Sequence, residues 1–131
     1  MLFRSLLEKQ IECRRRNAIF YREHILNKHI CLPKEENYER CVNHLFVIRL
    51  KERDKMKKYL ESKGIETKIH YPIPLHLQKC SSNLNYKVGD FPNAENFANS
   101  MISLPIHPFL SIHEITHVCD TLNNVYKDIC G

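Results

Sequence analysis

The stretch HLFVIRLKERDKMKKYLESKGIETKIHY, residues 44–71, decides the fold. Its first seven residues, His44 to Leu50, are mostly aliphatic, β-branched or aromatic, the composition of a mostly buried strand. Over residues 53–63 the period changes. Met56, Tyr59 and Leu60 fall on one side, and Lys55, Lys57, Lys58 and Glu61 on the other, so a helix is expected. Gly64 stands where a helix end calls for a left-handed residue. Ile65 to Tyr71 reads as a second strand. Strand, helix and strand in fewer than thirty residues make an α/β unit.

Upstream, residues 3–27 read as one long helix. Phe3, Leu6, Leu7, Ile11, Ala18, Tyr21 and Ile25 form one apolar stripe, interrupted by Arg14, Arg15 and Arg16. No N-cap precedes the pattern, which suggests the remainder of a longer helix. Pro33 closes this region, and residues 34–43 are polar and irregular. Downstream, Pro72 and Pro74 break the second strand, and residues 72–89 lack a period and read as a long loop. Asp90 is the expected cap of a helix over 92–101, with Pro92 in its first turn. Met101 to Pro105 reads as a third short strand. Ser111 and Glu114 have capping-box spacing, and the last helix then runs to about Lys127, burying Ile115, Val118, Leu122 and Val125. The expected architecture is a small two-layer α/β domain with a long N-terminal helix, about three short strands and packed helices.

The chain's 131 residues and 15.6 kDa suit one domain. Residues 1–68 carry 17 basic and 10 acidic side chains, and residues 69–131 carry 3 and 5. A basic excess of this size on helices reads as a solvated face, and no basic–aromatic interleaving supports a nucleic-acid partner. No stretch approaches the roughly 18 apolar residues of a membrane helix, and the N-terminus has no secretory h-region. A cytoplasmic location follows as the expectation. Cys13, Cys31, Cys41, Cys80, Cys119 and Cys130 form no C-x-x-C and are expected to be reduced, mostly filling buried positions.

His70, Tyr71 and His76 stand at a strand end and on the loop after it, where α/β sheets bind ligands. His70 suits a phosphate contact or proton transfer, and Tyr71 a phosphate contact or stacking on a base. Alternatively, Tyr71 packs at a domain edge and both histidines are solvated. His107, His113 and His117 add imidazoles, but no cysteine or carboxylate joins them at zinc spacing, so no metal site is expected. No family signature surrounds any cysteine, and three glycines cannot build a phosphate-binding loop.

Five blocks carry a family resemblance. Arg14 to Tyr21 resembles the Arg-Arg-x-x-Ala-x-x-Tyr helix of the DegT/DnrJ/StrS-type sugar-nucleotide aminotransferases. His44 to Arg53 is similar to their H-x-F-V-I-R strand. Gly64 to His76 resembles their G-I-x-T-x-x-H-Y-P-x-P-L-H signature. Gly89 to Glu95 and Ser103 to Pro108 resemble two further blocks, in the family's order. The resemblance implies the C-terminal small domain of the aspartate-aminotransferase type fold, with residues 1–30 as connecting helix and residues 31–131 as the domain. It implies a pyridoxal 5'-phosphate (PLP) enzyme, usually dimeric, moving an amino group from glutamate to a nucleotide-linked keto-sugar. The large PLP-binding domain is outside this sequence. The chain alone is therefore expected to be inactive and to hold no cofactor. Its expected partners are a nucleotide-diphosphate sugar and either the missing domain or a second copy. His70, Tyr71 and, more weakly, His76 are the implied substrate-binding residues, while His107 and Pro108 are assigned to packing. A stand-alone sugar-nucleotide-binding or subunit-completing module is the alternative.

Overall fold

A computed structural model describes residues 2–129, and the side chains of residues 6–125. The element order is α1 (Leu2–His24), β1 (Phe46–Arg49), α2 (Arg53–Ser62), two 3-10 turns (Leu75–Leu77 and Lys79–Leu84), α3 (Pro92–Ser100), β2 (Met101–Leu104) and α4 (Ile112–Ile129). β1 and β2 are antiparallel, with Phe46 opposite Leu104 and Arg49 opposite Met101. On the outer side of β2, Lys68 and Ser103 exchange both backbone bonds, at 3.2 and 2.8 Å. The backbone at Lys68 therefore runs parallel to β1 with β2 between them, the arrangement of a split βαβ unit.

The strand expected over residues 65–71 is thus reduced to one bridge. Its partner β2 is only four residues long and is followed by Pro105, which has no N–H to offer. At the other end Tyr71 takes φ +55°, which turns the chain out of the sheet. Residues 72–89 form the expected long connection, and two 3-10 turns organise half of it.

α2 ends as its sequence requires. Gly64 takes φ +76°, its N–H bonds the Glu61 carbonyl at 3.0 Å, and Ile65 N–H bonds the Leu60 carbonyl at 2.9 Å. These two bonds form a Schellman motif. α1 ends at His24, earlier than the expected 27, because α4 caps it. The Asn123 side chain donates to the His24 carbonyl and accepts from Leu26 N–H, both at 2.8 Å.

The core lies between the sheet and the helices. Ala18, Tyr21, Phe46, Ile48, Leu60, Ile102, Leu122 and Val125 are essentially inaccessible. Each such large aliphatic or aromatic side chain contributes about 1.5–3 kcal/mol. The Tyr21 hydroxyl donates to the Pro105 carbonyl at 2.8 Å, and burial pushes its phenol pKa up. All four expected α4 residues, Ile115, Val118, Leu122 and Val125, are buried. The α1 stripe divides instead. Ala18, Tyr21 and Ile25 are core, Ile11 is half-buried, and Leu6 and Leu7 are 53% and 56% exposed. The Phe3 side chain lies outside the described residues.

Two further expectations change. Arg15 and Arg22 are more than a solvated face: both hold Glu35, at 2.6 and 3.4 Å, and dock the irregular segment onto α1. Of the described cysteines only Cys119 is buried, with its thiol pushed up to about 12 by that burial. Cys13 is half-buried and Cys31, Cys41 and Cys80 are exposed, so filling the core does not account for them. Cys130 lies outside the described residues.

Candidate functional site

Where Lys68 leaves the sheet edge, it delivers His70 to a cleft of about 410 Å³. Arg14, His44, Lys68, His70, His107 and His117 line its walls, over an apolar floor that includes Ile65, Leu110 and Val118. His70 is half-buried, with Nδ1 2.9 Å from the Ser103 hydroxyl. Ser103 is itself buried and fixed by β1 on one side and Lys68 on the other. When the Ser103 hydroxyl donates, the imidazole proton sits on Nε2, which is then a donor for a phosphate or sugar oxygen.

Three of the other basic side chains have partners of their own. Arg14 donates to the His44 and Ile106 carbonyls at 3.3 and 3.4 Å, tying α1 to the ends of both strands. His117 Nε2 lies 3.0 Å from the Lys63 carbonyl. Lys68 is 70% exposed and 3.6 Å from Glu66.

Tyr71, next to His70, stands 75% exposed. Its left-handed backbone is unusual for a bulky residue, and Pro72 after it disfavours helical backbone further. His76 goes elsewhere. Its side chain is 7% exposed and turned inward, with Nε2 3.1 Å from Glu95 Oε1. Of the three expected site residues, only His70 lines the cleft; Tyr71 follows it into solvent, and His76 lies against Glu95 beside a second cavity. His107 is exposed, and its carbonyl accepts from the Asn17 amide at 3.2 Å. His113 is exposed, and no cluster of three metal-ligating side chains occurs among the described residues.

Sequence reading missed Ser103 and Glu95, the residues in hydrogen-bond contact with His70 and His76. Both stand inside blocks that carry the family resemblance, Ser103 to Pro108 and Gly89 to Glu95, so the signal is present. It could not be assigned without knowing which side chains face each other.

PLP requires an enclosed lysine for its covalent attachment. Among the described residues no lysine is buried; the half-buried Lys57 pairs with Glu61 on the helix surface. The cleft's own lysine, Lys68, points into solvent. These residues do not fit the cofactor.

Comparison with known proteins identifies the family. The family model for DegT/DnrJ/EryC1/StrS aminotransferases matches residues 5–123. A dTDP-3-amino-3,6-dideoxy-alpha-D-galactopyranose transaminase from Aneurinibacillus thermoaerophilus is 40% identical over 119 residues, covering 91% of this chain and 32% of the relative. Among solved structures, S. venezuelae DesV superposes with a TM-score of 0.85 at 31% identity, over 90% of this chain and 32% of that one. Spr1654 of Streptococcus pneumoniae in its PLP-form has a TM-score of 0.80 at 23% identity, over 91% of this chain and 32% of that one, a likeness of fold. The chain spans about a third of the length of the curated relatives it matches. With the family model matched over nearly its whole length, the chain belongs to the DegT/DnrJ/EryC1/StrS aminotransferase family.

Proposed function

We propose that this chain is the C-terminal part of a PLP-dependent enzyme that transfers an amino group from glutamate to a nucleotide-linked keto-sugar, and that it is inactive alone. The family match over residues 5–123 carries this reading. Its relatives include the dTDP-sugar transaminase, of which this chain corresponds to a third. In this reading PLP is held by polypeptide outside these residues, and supplies the electron sink there. The chain's own contribution is to the sugar nucleotide. His70, braced by Ser103, offers a ring donor at the cleft, and Tyr71 projects a ring and hydroxyl beyond the domain surface. A charge-assisted contact to phosphate from such a donor contributes about 1.5–3 kcal/mol, enough to orient a substrate.

The test incubates the chain with PLP, adds borohydride, and locates any adduct by mass spectrometry. The expected result is no stoichiometric adduct at a single lysine. Co-expression with the PLP domain of a relative is expected to give a complex that transaminates a nucleotide-linked keto-sugar. A single-site adduct on the chain alone overturns its assignment as inactive by itself. A stable complex that lacks transaminase activity overturns the enzymatic reading in favour of a binding module.

A further inference from the structure

His76 and Glu95 form an enclosed ionisable pair in the chain that follows the His70–Tyr71 turn, with side chains 7% and 15% exposed. Glu95 belongs to α3, and His76 to the first 3-10 turn, nineteen residues earlier. The same carboxylate accepts the Gly89 N–H on both oxygens, at 2.8 and 3.0 Å, and the Phe91 N–H at 3.4 Å. These bonds, with His76 behind the first, hold the Glu95 carboxyl below the usual carboxylate range. One side chain thus grips both ends of the segment that connects the His70–Tyr71 turn to α3.

Little else holds that segment. Leu75, Leu84, Tyr86 and Val88 are exposed by 74, 56, 46 and 78%. A cavity of about 380 Å³ opens beside the His76 ring, so packing does not lock the ring from that side. Phe91 lies 4.8 Å from the ring and Tyr86 6.5 Å, as a partial aromatic wall. Among the described residues, the hydrogen bonds that carry residues 75–89 to another element all end on Glu95. The remaining bonds of this stretch are local, such as Leu77 N–H to the Pro74 carbonyl.

We propose that the His76–Glu95 pair is a positioning clasp that fastens residues 75–91 to α3 and so fixes how the His70–Tyr71 turn leaves the sheet edge. His76 then acts through the loop and makes no substrate contact. The loop's part in substrate binding rests on the function proposed above; the clasp itself does not.

Amide hydrogen exchange on the 131-residue chain tests the clasp directly. Glu95→Gln presents an amide where a carboxylate accepted donors from both sides, and His76→Leu removes the ring donor. Both are expected to speed exchange of the Gly89 amide about tenfold or more. His76→Gln, which can place an N–H near the same point, restores most of the protection. The Ile48 and Ile102 amides in the sheet stay as in the parent. Unchanged Gly89 exchange, or an equal acceleration in the sheet, overturns the clasp. In the assembled enzyme, His76→Leu raises the sugar-nucleotide KM several-fold while kcat of the glutamate half-reaction holds, and His76→Gln recovers it. Lost Gly89 protection with an unchanged KM overturns the loop's substrate-facing role and leaves the clasp standing.

Discussion

At the scale of single residues, two side chains make opposite predictions. Thr67 is 5% exposed, and its hydroxyl has no hydrogen-bond partner among the described residues. Thr67→Val keeps the β-branched shape and removes the orphan hydroxyl. Urea unfolding is expected to show a gain of about 1 kcal/mol. A loss of that size would show that the hydroxyl finds a partner in solution. Tyr71 is the reverse case, exposed and in a strained backbone conformation that its surroundings must maintain. In the assembled enzyme, Tyr71→Phe and His70→Ala are expected to raise the sugar-nucleotide KM about tenfold and leave the glutamate half-reaction unchanged. Equal losses in both half-reactions would indicate folding damage. The position of these two residues was legible in the sequence because Pro-x-Pro after a β-like segment marks a turn where the chain leaves a sheet edge, as it does beyond the Lys68 bridge. His76 was not separable from them, because its inward turn depends on Glu95, nineteen positions away.

At the scale of elements, the sequence signals that succeeded were local ones. The Ser111–Glu114 box forms as spaced: Ser111 N–H donates to Glu114 Oε2 at 2.8 Å and Glu114 N–H donates to Ser111 Oγ at 3.3 Å. Gly64 and the buried face of α4 are equally local. The signals that failed needed a partner strand or a second side chain. The expected strand over 65–71 lacks a long enough β2 to pair with. Asp90 does not cap α3: its carboxylate accepts from Lys87 N–H at 2.8 Å, and Glu95 reaches back from within the helix to take the Phe91 N–H. Ser111→Ala is expected to cost about 1 kcal/mol of unfolding free energy. The same cap predicts a pH dependence. The Ser111 hydroxyl and N–H, with His107 nearby, hold the Glu114 carboxyl below its ordinary value. A carboxylate depressed in the folded state stabilises fully above its unfolded pKa, about 4.3. That contribution is lost as pH falls through the lower folded value. Glu35 and Glu95 are depressed in the same direction, by N–H donors from Cys41 and Gly89 first. The urea midpoint is therefore expected to be flat from pH 7 to about 5 and to fall below about 4.5. The Ser111→Ala variant should lose less over the acid range than the parent, and an equal slope would show that the cap does not carry this pH dependence.

At the scale of the whole molecule, α1 serves two environments. Its C-terminal half supplies Ala18 and Tyr21 to the core, fully buried, while Leu6 and Leu7 lie more than half exposed on its N-terminal half. The ion pairs of Arg40 with Glu8 and Glu12, at 3.1 and 2.9 Å, join exposed side chains and contribute little. The domain's own core therefore gives no reason for an apolar stripe that far along the helix. The part of the relatives' length that this chain does not span would give one, where it covers α1 in the proposed enzyme. The double variant Leu6→Ser, Leu7→Ser separates the two explanations. In the isolated chain it is expected to change unfolding free energy by less than about 0.5 kcal/mol, as exposed positions do. In the complex with a relative's PLP domain, each leucine that becomes buried is worth about 1.5–3 kcal/mol, so association should weaken at least tenfold. Urea unfolding of the chain and a titration of the complex give the two numbers. A large loss in the isolated chain would place both leucines in the domain's own core. Unaltered association would show that the other polypeptide docks away from this face of α1.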